Sequence, residues 1–182
     1  MKINRTCAIS FLIWTSIANA QESPEAKQAN PEEIVKAAIE QFHEGIRSDD
    51  PKVREEAFEA IMPDEKTFKA LFGDDTRLIW PRMKEILMEM RDNLDKVKEE
   101  FDGHGKIVSI DLTDVRQDDE LKRYQSLLET IPKDIPIFDA VQRFETGASG
   151  SGAYVVIEGR MKFIKNLDRI ARFIDEQKKD DK

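Results

Sequence analysis

The chain has 182 residues, of which 40% are hydrophobic and 36% charged, with 29 Lys and Arg against 37 Asp and Glu for a formal net charge of −8. That length suits one domain with an ordinary hydrophobic core. The acidic balance, with no basic stripe interleaved with aromatics, argues against nucleic acid as a partner, because phosphate backbones would be repelled.

Residues 1–20 read as an export leader. Lys2 and Arg5 make a basic start, Cys7 to Ile17 an apolar run, and Ala18-Asn19-Ala20 a small-x-small cleavage site. The apolar run falls short of the ~20 residues that cross a bilayer. The expected mature chain therefore begins at Gln21, is secreted or periplasmic, and keeps no membrane span. Cleavage removes Cys7, the single cysteine, so no disulfide is expected, and losing Lys2 and Arg5 takes the net charge from −8 to −10.

Residues 21–29 are polar without periodicity and read as a linker, followed by a single domain over 30–176 and a polar tail over 177–182. The first helix has Asn30 as N-cap, Pro31 in its first position and Glu33 placed for a capping box. Ile34, Val35, Ala38, Ile39, Phe42 and Ile46 form its apolar stripe. Asp50-Pro51 starts a second helix, which Pro63 stops, and a short third helix runs from Asp64 to a stop at Gly73. The period predicts one long fourth helix near 75–101, with Pro81 in its first turn or at a kink.

Lys106 to Val115 alternates as a half-buried strand, with Val108, Ile110 and Leu112 inward. Asp119 to Thr130 returns to a helical pattern. The stretch from Ile135 to Ile164 then reads strand, loop, strand, the loop being the small residues Gly147 to Gly152. Residues 153–164 fit either one long strand or, preferably, a hairpin turning at Glu158-Gly159, with Ile157 opposite Arg160 and Val156 opposite Met161. In that hairpin Tyr154, Val156, Met161 and Phe163 share the core face. A last helix begins near Asn166. The fold class is α+β, with N-terminal helices packed on one face of a C-terminal antiparallel sheet.

Chemistry is sparse. His43, at the edge of the first helix, and His104, between two glycines in a turn, supply no zinc-ligand spacing. Asp111, Asp114, Asp118, Asp119 and Glu120 lack the spacing of a calcium loop. No metal or other cofactor is expected. Gln142 and Tyr154 on the core face, with Trp80 at the mouth, are the candidate ligand-binding residues. Arg143, Arg160 and Lys162 belong to the opposite face. The expected role is a non-catalytic binding domain, for a small apolar ligand in a helix–sheet pocket or for a protein on the sheet, including a second copy.

The segment Tyr154 to Ile164, with its Glu158-Gly159 turn and Met161 and Phe163 beyond, resembles the late hairpin of exported NTF2-like or cystatin-like α+β domains. In many NTF2-like domains a Trp stands where this chain has Met161. The resemblance implies small-molecule binding, dimerisation through the sheet, or catalysis where an Asp–His pair sits in the cone. No such pair stands on this sheet, so no catalytic residue is carried over. The enzyme alternative is an isomerase- or hydrolase-type domain using a carboxylate such as Asp139 as base.

Overall fold

The computed structural model describes residues 30–118 and 128–164, with Ile170 and Phe173. The expected leader, linker and tail, most of the helix near 119–130 and the start of the last helix lie outside the described residues.

Three helices begin with the caps that the sequence offers. α1 (Pro31–Ile46) is capped by Asn30, whose side-chain oxygen accepts from the Glu32 N–H at 3.1 Å. The bond to the second helical N–H replaces the expected reciprocal box with Glu33. α2 (Pro51–Ile61) is capped by Asp50, which accepts from Lys52 N–H at 2.9 Å. α3 (Glu65–Phe72) is capped by Asp64, which accepts from both the N–H and the hydroxyl of Thr67 at 2.7 Å. The Thr67 hydroxyl holds the Asp64 carboxyl below its ordinary range. Gly73 ends α3 at φ 55°, a conformation open to glycine.

After a short 3₁₀ turn (Gly73–Asp75), the expected long helix is two: α4 (Thr76–Asp92) and α5 (Leu94–His104). Asn93 makes the break. Its side-chain N–H donates to Glu89 O at 2.7 Å and closes α4, as Asn side chains do when they compete with backbone pairing. Pro81 lies inside α4, past the first turn.

The sheet is a four-stranded antiparallel meander of β1 (Ile107–Asp114), β2 (Ile137–Phe144), β3 (Ser149–Ile157) and β4 (Arg160–Ile164). The β3–β4 hairpin has the expected register, with Ile157 opposite Arg160 and Val156 opposite Met161. Both turn residues have positive φ, 51° at Glu158 and 72° at Gly159, the backbone of a type I′ turn. Asn adopts that conformation more readily than Glu. Glu158→Asn gives up only the Lys66–Glu158 pair, whose side chains are 73% and 68% exposed, and such pairs contribute little. The substitution is expected to raise stability by about 0.5 kcal/mol, read as a higher denaturant midpoint.

Two expectations about the strands are corrected. The Gly147–Gly152 segment is mostly strand: Ser149 pairs with Arg143, Gly150 with Gln142, Ser151 with Val141 and Gly152 with Ala140. The turn is only Glu145 to Gly147, closed by Phe144 N–H to Ala148 O at 3.0 Å, with Gly147 at φ 82°. Glycine is required for space at Gly152, where a Cβ would lie 2.6 Å from the Phe163 ring, while one on Gly150 would make an ordinary contact with the Phe144 ring at 3.6 Å. In β1 the register shifts between Ile107 and Ser109, which leaves Val108 68% exposed and puts Ile107 beside Ile110 and Leu112 in its place.

The helices cover both faces of the sheet, rather than the one expected. On one face Phe138, Ala140, Tyr154, Val156 and Met161 pack against Val35 and Ile39 of α1 and Phe58 and Ile61 of α2. On the other, Ile137, Ala153, Val155 and Ile164 pack against Phe68 and Leu71 of α3, Ile79 and Met83 of α4, and Ile131 and Ile170. The reason lies in β2, β3 and β4, which carry apolar residues at successive positions, so each face needs its own cover. No described helix is long and apolar enough to cross a membrane.

Candidate functional site

Gln142 and Tyr154 lie on the same face of the sheet and meet: the Gln142 side-chain N–H donates to the Tyr154 hydroxyl at 2.8 Å. Tyr154 is buried and stacks at a tilt on Phe163, with ring centroids 5.3 Å apart. Burial pushes its pKa up to about 12, against the Gln142 bond, which lowers it. The pair thus satisfies a core tyrosine and stays neutral at physiological pH.

Trp80 does not join them. It packs on Phe68 at 5.5 Å in the core layer on the sheet's other face. It also lines a separate cleft of about 310 Å³ with Phe58, Met62, Leu87 and Met88.

The basic residues have structural partners or lie open. Lys162 Nζ donates to Ala60 O at 3.1 Å and Met62 O at 3.0 Å, closing the end of α2 over edge strand β4. Burial pushes its ammonium pKa down. Arg143 pairs across the strands with Asp111 at 3.2 Å, and Arg160 is exposed. Asp139 is buried on the face away from Tyr154, between its cross-strand neighbours Thr113 and Ala153. Gln142, Tyr154 and Trp80 therefore do not form one pocket, and Asp139 does not share the face of Gln142 and Tyr154.

A groove that the sequence did not signal lies between α1, α2 and the β3–β4 turn. Its volume is about 680 Å³. Ile34, Ala38 and Phe42 form the α1 wall, Val53 and Ala57 the α2 wall, and Met161 the floor. Gln41, Glu56 and Arg160 make the rim. The groove exists because α1 and α2 approach closely at one point: a Cβ on Gly45 would lie 2.5 Å from that of Ala57. Small side chains there leave the space on either side unfilled. A further cleft of about 450 Å³ between α2 and the α4–α5 junction is polar, and its Arg54 and Arg91 pair with Asp95 and Glu55.

The two histidines come together, although they stand far apart in sequence. His43 is buried on α1, not at an edge, and stacks on Phe144 with centroids 5.4 Å apart; it also meets Phe101 at 5.1 Å. His104, the last residue of α5, stacks on the same Phe144 at 5.0 Å. His43 Nε2 and His104 Nδ1 are buried and have no hydrogen-bond partner among the described residues. Burial, then the charge of Arg47, pushes the His43 pKa below its ordinary value, while Asp102 pulls the other way. An imidazolium on a phenyl face gains about 0.5–1 kcal/mol exposed and more when desolvated. At a helix C-terminus it gains a similar ~0.3–1 kcal/mol. A buried charge with no acceptor costs several kcal/mol, so burial wins. Among the described residues no three His, Cys, Asp or Glu side chains group as metal ligands.

Comparison with protein-family models, curated proteins and solved structures finds no match for this chain.

Proposed function

We propose that this chain is an exported, non-catalytic binding domain that takes a small apolar ligand in the groove between α1, α2 and the β3–β4 turn. One observation carries the reading: a groove of about 680 Å³ with apolar walls and floor and only a polar rim. Ligand sites fall at ~300–1,000 Å³ and are lined in this way. The 310 Å³ cleft beside Trp80 stands at the bottom of that range, and the 450 Å³ cleft is filled with paired charges. Export is supported by the basic, apolar and Ala-x-Ala series of residues 1–20. An NTF2-like or cystatin-like relationship is supported by the order of helices then meander and by the turn before Met161.

The experiment is a titration with a neutral, polarity-sensitive naphthylamine dye, comparing the unsubstituted chain with Val53→Glu and Met88→Glu. Val53 is 41% exposed in the groove wall and Met88 is 55% exposed outside it. Val53 is the third residue of α2, where Glu suits both the cap and the helix dipole, so the fold keeps its stability. Val53→Glu is expected to weaken dye binding about tenfold, the equivalent of two buried methylenes. Met88→Glu is expected to leave it unchanged. Equal affinity in all three would remove the groove as the site.

A further inference from the structure

We infer that His43, stacked with His104 on Phe144, is a proton-sensitive latch that holds the end of α5 and the tip of the β2–β3 hairpin against α1 at neutral pH and releases them in mild acid. The inference stands on the histidine cluster itself and holds whether or not the groove is the binding site.

The latch joins three elements. α1 contributes His43, α5 contributes Phe101 and His104, and the end of β2 contributes Phe144. Polar bonds around the rings bind the same pieces. Thr146 Oγ1 donates to His104 O at 3.0 Å, and the Lys106 N–H donates to Glu145 Oε2 at 3.0 Å. Arg47 Nε donates to Asp102 Oδ1 at 3.0 Å and its Nη1 to Gly105 O at 3.4 Å.

The charged surroundings decide the response to a proton. Arg47 stands beside His43 on α1. From α5 come Lys98, Asp102 and His104, and from the segments on either side of the hairpin and β1 come Glu145 and Lys106. Asp102 is the acid that favours a charged His43, and it is already shared between Arg47 at 3.0 Å and Lys98 at 2.6 Å. Lys106 and Glu145 are tied to each other through backbone and side chain. A proton on His43 thus enters a site that offers cations and a committed carboxylate.

The closed state disfavours the proton, and the open state holds an ordinary imidazole that titrates near pH ~6.5. Opening therefore takes up a proton below that pH. The latch is complete above about pH 6.5, and the opening constant rises by up to about tenfold per pH unit as pH falls toward the lowered closed-state value. Phe42 meets Phe101 edge-on at 5.6 Å and also lines the α1 wall of the groove, so release reaches that wall.

Amide hydrogen exchange tests the latch, corrected for the intrinsic pH dependence of exchange. The readout is the amides of Gly105, Glu145 and Gly147, whose bonds go to Asp102 O, Lys106 O and Phe144 O. Between about pH 7.5 and about pH 5.5 their protection should fall about tenfold or more, while that of Val115 and Val156, whose N–H groups donate to Ile137 O and Pro136 O, stays level. In His43→Phe and, separately, His43→Leu the pH-dependent fall should vanish. Protection that does not change with pH in the unsubstituted chain would overturn the latch. So would a fall of equal size in either folded variant.

Discussion

Phe68→Ala is expected to remove about 3–5 kcal/mol of stability, the usual cost of truncating a fully buried phenyl ring. Phe68 is 0% exposed. Its ring lies 5.8 Å from that of Phe72 and 5.5 Å from that of Trp80. It reaches the core layer in which Ile137, Val155 and Ile164 present one face of the sheet to α3 and α4. The ring therefore sits in the layer that α3, α4 and three strands share, whose side chains belong to different elements and cannot all relax into the space. Against a total of ~5–15 kcal/mol for a domain, the loss is about a fifth of the stability or more. Denaturant unfolding reads it as a lower midpoint at an unchanged slope. A loss under about 1 kcal/mol would mean that the second layer is not packed and that the sheet is covered on one side only.

Deleting Ser149 and Gly150 is expected to cost about as much, although the pair sits in what composition reads as a soft loop. Ser149 and Gly150 face Arg143 and Gln142 in the β2–β3 ladder. Their removal leaves two options. The turn from Glu145 to Gly147 stays, and every β3 residue from Ser151 onward moves two places along β2. Otherwise β3 keeps its partners and the turn must close over too short a chain. The first option preserves which face each side chain takes, since the period of a strand is two. It still places Val155 and Tyr154 away from Ile137 and Phe138, their present partners. It also breaks the Gln142–Tyr154 hydrogen bond and slides the whole β3–β4 hairpin, which keeps its own register, along β2 and away from the side chains that now cover it. Broken core pairs and overpacking of this kind together remove about 2–5 kcal/mol. Thermal unfolding should show a strongly lowered midpoint, or no cooperative transition. A midpoint within a degree or two of the parent would show that Ser149 to Gly152 is loop after all.

Local signals with a single physical meaning were legible in the sequence. Asn30, Asp50 and Asp64 cap helices because each short acceptor precedes a helical run, and Glu158-Gly159 sets a hairpin register because a two-residue turn leaves one pairing. The Gly-Ser stretch misleads because glycine has two uses: it frees the backbone, and it makes room. Here the aromatic rings of Phe144, Tyr154 and Phe163 lie over β3, and the second use governs. The break at Asn93 and the bulge at Val108 were not legible from period alone, since each moves the phase of a pattern by a residue or two. The candidate site was legible in part. Gln142 and Tyr154 share a face, as alternation implies, while the hydrogen bond that joins them shows only in the structure. Trp80 lies in the other layer, because nothing in the sequence tells which side of the sheet α4 takes. The groove and the histidine cluster depend on contacts between distant segments, Gly45 with Ala57 and His43 with His104, and no local spacing encodes them.

Methyl-resolved NMR during a titration with a medium-chain alkyl ligand shows whether the α1–α2 groove holds an apolar molecule. Ala38, Ala57, Ala60 and Met161 line the groove and carry methyl groups, while Met88 and Ala153 lie elsewhere. Saturable shifts are expected at the first four methyls, with Met88 and Ala153 unmoved. Shifts centred on Met88, or none at saturating ligand, would contradict it.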